Sequence, residues 1–108
     1  MKTLVYMGPR QLELREAEKP IPQSGEAVLK VEAVGICGSE LEGYLGHSAV
    51  RKPPLVMGHE FCGIIDSVAP DVAGWSAGEK VVVNPLSACG VCARCRQGKE
   101  NICRSRSI

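Results

Sequence analysis

Aromatic residues are scarce in this sequence of 108 residues, with one Trp, one Phe and two Tyr. The stacking platforms that hold single-stranded nucleic acid are therefore missing. A dominant charge sign is missing as well: 13 Lys and Arg face 12 Asp and Glu, a net of +1, so there is no general field to hold a polynucleotide or polyphosphate. Long apolar runs are absent; the longest are a few residues, such as Leu4 to Met7, far short of a membrane span. The opening residues carry neither a secretory core nor a transit-peptide composition, which makes a reducing cytoplasm the expected compartment. Neither G-x-G-x-x-G nor G-x-x-x-x-G-K-[ST] occurs, so the chain has no nucleotide-binding motif of its own.

Cysteine, by contrast, is plentiful, at six residues. A chain of this length and ordinary hydrophobicity, 44%, is expected to form one domain and to bury above ~60% of its unfolded surface. It needs no disulfide staples, and clustered cysteines in a reducing compartment point to metal ligands or reactive thiols. Basic charge gathers at one end: from Arg94 onward the net is +4, against −3 for the residues before it. With no aromatic residue after Trp75, this tail reads as solvated surface.

The chain is punctuated by Gly and Pro. Strand-like stretches fall at Thr3 to Met7, around Leu12 and Leu14, at Ala27 to Ile36, at Glu60 to Ala69 and at Lys80 to Asn84. In the third, Leu29, Val31 and Ala33 share one face, predicting a strand with a largely apolar side. Residues 37–46 predict a short helix with Ser39 as N-cap, Glu40 and Glu42 in its first turn and Gly46 as its stop. Lys52-Pro53-Pro54 predicts an extended connection. Several short strands with one small helix suggest a mainly β, partly open barrel.

Cys89, Cys92, Cys95 and Cys103 read C-x2-C-x2-C-x7-C within the loop 86–104. Four thiolates this close can converge on one tetrahedral ion, the closed shell of a structural zinc. A ferredoxin-type run would place its last cysteine after three residues and follow it with proline, and a thioredoxin-type C-x-x-C would need a βαβ setting. Cys37, at the end of a strand, and Gly58-His59-Glu60, opening another, offer a thiolate, an imidazole and a carboxylate. Such a mixed shell with an open position is what a catalytic zinc requires. The residue types alone leave the bland alternative open, a core cysteine and a satisfied histidine. Cys62 reads as core packing, Trp75 as a plug anchoring its turn, His47 as a surface histidine and Lys80 as a solvated strand edge.

Gly35-Ile36-Cys37-Gly38-Ser39, then Gly58-His59-Glu60-Phe61-Cys62-Gly63 continuing to Ala69 and Val72, then the four-cysteine loop, come in an order that resembles the zinc-dependent medium-chain alcohol dehydrogenases. The likeness covers practically the whole chain, residues 1–108, as the N-terminal GroES-like catalytic domain, ending just after the structural-zinc loop. It implies a partly open β-barrel with a short helix and a zinc-binding loop. It further implies two zinc ions, one held by Cys37 and His59 with Glu60 as a nearby carboxylate that either ligates directly or exchanges with water, and one by Cys89, Cys92, Cys95 and Cys103, with Ser39 accepting the proton of a bound alcohol. Hydride would pass to NAD or NADP carried by a Rossmann domain that is not in this chain, and the chain alone would be inactive.

Three positions depart from the family pattern. Glu40 stands where an aspartate commonly supports the histidine ligand, Glu42 where many members carry a histidine, and Gly38 matches the polyol, threonine and sugar-phosphate branches. The resemblance thus implies a small polyol-like alcohol as substrate, a homo-oligomeric full-length protein, and neither nucleic acid nor membrane as partner. The competing reading is a stand-alone zinc-stabilised binding module; a co-chaperonin-like oligomer rests on the barrel alone.

Overall fold

A computed structural model describes all residues, 1–108. The first two strands, β1 (Lys2–Gly8) and β2 (Gln11–Glu16), form an antiparallel hairpin. A separate antiparallel sheet has the order β3 (Ala27–Val34), β4 (Phe61–Val68), β5 (Lys80–Val82). Between β3 and β4 lies helix α1 (Gly38–Leu45), and the C-terminal segment carries the short α2 (Ala93–Arg96) and a 3-10 turn, Glu100–Ile102. The hairpin is tied to the α1–β4 connection through a bridge between Tyr6 and Leu55. No helix is long and apolar enough to cross a membrane.

The fold is mainly β and partly open: the two sheets do not close into a barrel. The expected burial is not reached. For this mass a closed domain exposes about 5,800 Å2, whereas this chain exposes 7962 Å2. Its radius of gyration is 15.9 Å, against about 13 Å for a compact domain of this length. The core is correspondingly thin, centred on Tyr6, Ile65 and Ala69.

The structure corrects the reading of the third strand. Its apolar side is largely uncovered, with Val31 49% exposed, Ala33 exposed and Leu29 only half-buried. Register shifts between Val28 and Leu29, and between Val31 and Ala33, interrupt the alternation on which a single buried face depends. Trp75 is 55% exposed and plugs nothing. Its turn is held elsewhere, by the Ser76 N–H donating to the Glu79 carboxylate at 2.8 Å.

Helix α1 begins two residues earlier than its Ser suggested, because Cys37, not Ser39, is the N-cap. The reason lies at Glu40, whose carboxylate reaches back to accept the Cys37 N–H at 3.2 Å, the returning half of a capping box. Gly46 ends the helix as expected: at φ 85° it takes the left-handed cap that a side chain would resist.

Candidate metal centres

The four cysteines of the C-terminal loop meet at one point. Their sulfurs lie 3.5 Å apart for Cys92 and Cys95, 3.5 Å for Cys103 and Cys89, and 3.9 Å for Cys89 and Cys95. These separations are far from the ~2.05 Å of a disulfide. They match the edge of a regular tetrahedron with zinc–sulfur bonds of about 2.3 Å, which is about 3.8 Å. A multi-iron cluster would seat the sulfurs on different irons and spread them further. The donor set therefore fits one tetrahedral ion.

Local structure builds this point. Cys92 caps α2, Cys95 lies within it, and Cys103 follows the 3-10 turn. Paired hydrogen bonds between Ser87 and Ser107, at 2.9 and 3.0 Å, close the base of the loop. The Cys89 and Ser105 N–H groups donate to the Cys103 sulfur at 3.4 and 3.3 Å. Backbone N–H groups of Cys95 and Arg104 pull the Cys92 thiol down to about 6. Burial, reinforced by its sulfur neighbours, pushes Cys95 up to about 12. Without a cation, sulfurs this close cannot all ionise; a divalent ion removes that conflict.

The second cluster joins Cys37, Glu40 and His59, with one ligand atom from each lying within 4.8 Å of the others. Cys37 and Glu40 come from the start of α1, and His59 from the residues entering β4. Gly58 makes that entry at φ 119°, in the region that favours glycine. Glu40 Oε1 lies 2.8 Å from His59 Nδ1 and 2.9 Å from Arg51 Nη2. Burial is the largest influence on the Glu40 carboxyl and raises its pKa, but hydrogen bonds from Arg51 and His59 outweigh it and hold the group below its ordinary value. The added methylene of glutamate over aspartate is thus absorbed without losing the histidine contact.

Glu60 approaches the other ring nitrogen, Oε1 standing 3.9 Å from His59 Nε2. The imidazole therefore separates two carboxylates: Glu40 backs Nδ1 and Glu60 faces Nε2. Both oxygens of Glu40 are engaged by Arg51, His59 and the Cys37 N–H, so its remaining capacity as a ligand is small. Glu60, the carboxylate expected at this centre, does not converge with Cys37 and His59; Glu40 does, and the group offers fewer donors than the closed loop. Ser39 lies in the first turn of α1 and its Oγ accepts from Arg51 Nη2 at 3.0 Å. An apolar hollow of about 320 Å3 adjoins, lined by Leu4, Tyr6, Leu12, Ile36, Tyr44 and Met57 among others, with Glu40 at its wall.

Cys62 is half-buried and belongs to neither cluster. His47 is exposed and faces Glu42, Nδ1 to Oε2, at 3.2 Å. Sequence reasoning missed Arg51, which sits in the irregular connection between α1 and β4 and carries no motif.

A mainly β, partly open domain with one closed thiolate cluster and one open mixed cluster is a class of protein with known members. Residues 23–108 match the alcohol dehydrogenase GroES-like domain. The chain belongs to that family, the zinc-dependent medium-chain dehydrogenases. It is 43% identical to starvation-sensing protein RspB of Escherichia coli K12, over 100% of this chain and 32% of that protein. It is 35% identical to L-galactonate-5-dehydrogenase of the same organism, over 100% of this chain and 32% of that one.

Among solved structures, the short chain alcohol dehydrogenase rspB of E. coli CFT073, complexed with NADH, superposes with a TM-score of 0.86 at 42% identity, covering 100% of this chain and 31% of that one. A cobalt- and zinc-bound thermostable alcohol dehydrogenase of Pyrobaculum aerophilum superposes with 0.87 at 31% identity, covering 97% of this chain and 32% of that one. The chain thus spans about a third of the length of the relatives it matches.

Proposed function

We propose that this chain is the N-terminal catalytic-domain portion, residues 1–108, of a zinc-dependent oxidoreductase that moves a hydride between a polyol-like secondary alcohol and NAD(P). The observation that carries this reading is the open cluster: a purely structural module has no use for Cys37 and His59 beside a carboxylate and an apolar hollow. The NADH-bound and metal-bound structures above support the cofactors, and the galactonate enzyme supports a polyhydroxy substrate. The parent is read as a cytoplasmic homo-oligomer whose nicotinamide domain lies outside these residues.

Cys37 and His59, with Glu60 close to the imidazole, would hold a zinc ion, which would supply Lewis acidity that lowers the pKa of an alcohol hydroxyl. Nicotinamide supplies the hydride acceptor. The chain's own residues do the rest. Glu40 keeps a proton on His59 Nδ1, leaving the Nε2 lone pair free to ligate. Ser39 Oγ already accepts one N–H from Arg51, so its second lone pair receives the substrate proton while its own hydrogen passes to solvent water. The apolar hollow supplies a wall of low polarity beside the centre. The loop of Cys89, Cys92, Cys95 and Cys103 would hold the second zinc and order its own segment.

Metal content per chain, measured on protein purified without added metal or chelator, tests the proposal. Two zinc ions are expected, falling to one in Cys37→Ser. One zinc that survives Cys37→Ser and disappears in Cys89→Ser would leave a zinc-stabilised binding module as the description. Hydride transfer is expected of the full-length parent and not of residues 1–108 alone.

A further inference from the structure

Arg51 lies outside every motif, yet its guanidinium is drawn into the open cluster. Its side chain is 19% exposed, beside Glu40 at 10% and His59 at 16%. One nitrogen, Nη2, donates both to Ser39 Oγ at 3.0 Å and to Glu40 Oε1 at 2.9 Å. The path of its stem is built in. A Cβ on the buried Gly43 would stand 2.5 Å from Arg51 Cδ and 3.2 Å from Met57 Sδ, so the missing side chain on α1 is what lets the arginine cross the helix. At the base of its loop the Arg51 N–H donates to Ser48 Oγ at 3.3 Å.

These contacts have a directional consequence. A guanidinium only donates, and it cannot lose its charge in a protein. Paired with it, the Glu40 carboxylate stays an acceptor, and so the hydrogen between Glu40 Oε1 and His59 Nδ1 belongs to the histidine. Arg51 also matters because glutamate, one methylene longer than aspartate, has an additional torsion to fix. A carboxylate this buried needs a compensating charge that a neutral imidazole does not provide. The second bond, to Ser39, fills one acceptor position of the hydroxyl and thereby sets where its remaining lone pair and hydrogen point.

We propose that Arg51 is a positioning residue of the Cys37–His59 centre, locking Glu40 so that His59 presents a bare Nε2 and holding the Ser39 hydroxyl in one orientation. Its action on Ser39 rests on the dehydrogenase reading; its action on His59 does not.

The sequence contains only two histidines, His47 and His59, so long-range 1H–15N spectra of the ring nitrogens assign readily. In the metal-free chain at pH 8, His59 is expected to be the Nδ1–H tautomer. Arg51→Met is expected to give a mixture of tautomers, with the backbone amide spectrum showing the fold retained. Arg51→Lys, whose ammonium still neutralises Glu40, is expected to recover most of the Nδ1–H form. Gly43→Ala keeps the charge but blocks the path, and should reproduce the Arg51→Met result, giving a second route if that variant misfolds.

Zinc affinity of the Cys37–His59 site is expected to fall about 10- to 100-fold in Arg51→Met, a loss typical of a group supporting a metal ligand, with the four-cysteine site unchanged. A pure Nδ1–H tautomer in both Arg51→Met and Gly43→Ala, with unchanged zinc affinity, would overturn the proposal. If the parent proves not to be a dehydrogenase, the tautomer still decides the claim about Arg51.

Discussion

Cys89 and Cys103 are 14 residues apart and lie on one loop closed by its own backbone hydrogen bonds. The open cluster instead joins residues from α1 and from the approach to β4, with Glu40 and His59 19 positions apart. The first gathers its ligands by local turns and completes a tetrahedron with sulfur alone. The second depends on the sheet, the helix and the connection between them all being in place, and it leaves a coordination position free. A closed local site can stabilise structure whatever happens elsewhere; an open composite one can do chemistry only if the surrounding fold is intact. The contrast predicts that damage to either region will stay within it.

The largest effect is expected from removing the closed site. Cys103 is 1% exposed and accepts two N–H groups. Cys103→Ser should cost one metal ion per chain and reduce hydrogen-exchange protection across residues 87–107 by at least about 1,000-fold, because binding free energy at such a site is folding free energy. Protection in β3 and β4 should change little, and equal loss in both regions would break the comparison.

Next comes Gly63→Ala, aimed at the frame of the open site. A Cβ there would collide with the Lys30 carbonyl oxygen, a backbone atom. Nothing flexible can yield, so a destabilisation of about 3 kcal/mol is expected, read by denaturant unfolding. Metal should be lost from the Cys37–His59 site and retained by the four cysteines.

The same contrast explains how much was legible beforehand. Spacing alone disclosed the four-cysteine loop, since all its ligands lie in one short segment and the tetrahedron demands little else. Cys37 and His59 were legible as motif residues. Glu40's contact with His59, and above all the arrival of Arg51 over Gly43, depend on the path of an irregular connection that no periodicity encodes. Ser39 was misjudged as N-cap by residue type, when the return of Glu40 to the Cys37 N–H decides the position. Alternation in β3 foretold a strand but not an uncovered face, because burial depends on what packs against it. Trp75 misled for the same reason.

A smaller effect is expected of His59→Ala. It removes a ligand but leaves the Arg51–Glu40 pair, so stability should change by only about 1 kcal/mol. One metal ion per chain should be lost. A collapse of the fold would show that the open cluster carries structure after all, and the distinction between the regions would fail.

The smallest effect concerns acid, which acts on both regions and must be separated from ordinary carboxylate titration. Asp71 accepts Ser24 Oγ at 2.6 Å and the Gly25 N–H at 3.1 Å, clamping the turn before β3 to the turn after β4. The Ser24 hydroxyl first, and the Gly25 N–H with it, hold its carboxyl below the ordinary value. A pKa depressed in the folded state contributes stability that is present in full above the unfolded pKa and is lost as pH falls through the folded one. Asp71→Asn should therefore lower Tm slightly near neutrality, and the gap to the unaltered chain should close as pH falls below the usual carboxylate range. Metal loss follows a different course, because each thiolate must be reprotonated to release its ion. Acid titrations of metal content should accordingly be the same in Asp71→Asn and the unaltered chain. If the substitution shifted them, the turn clamp and a metal centre would be coupled, and the separation of the two regions would fail.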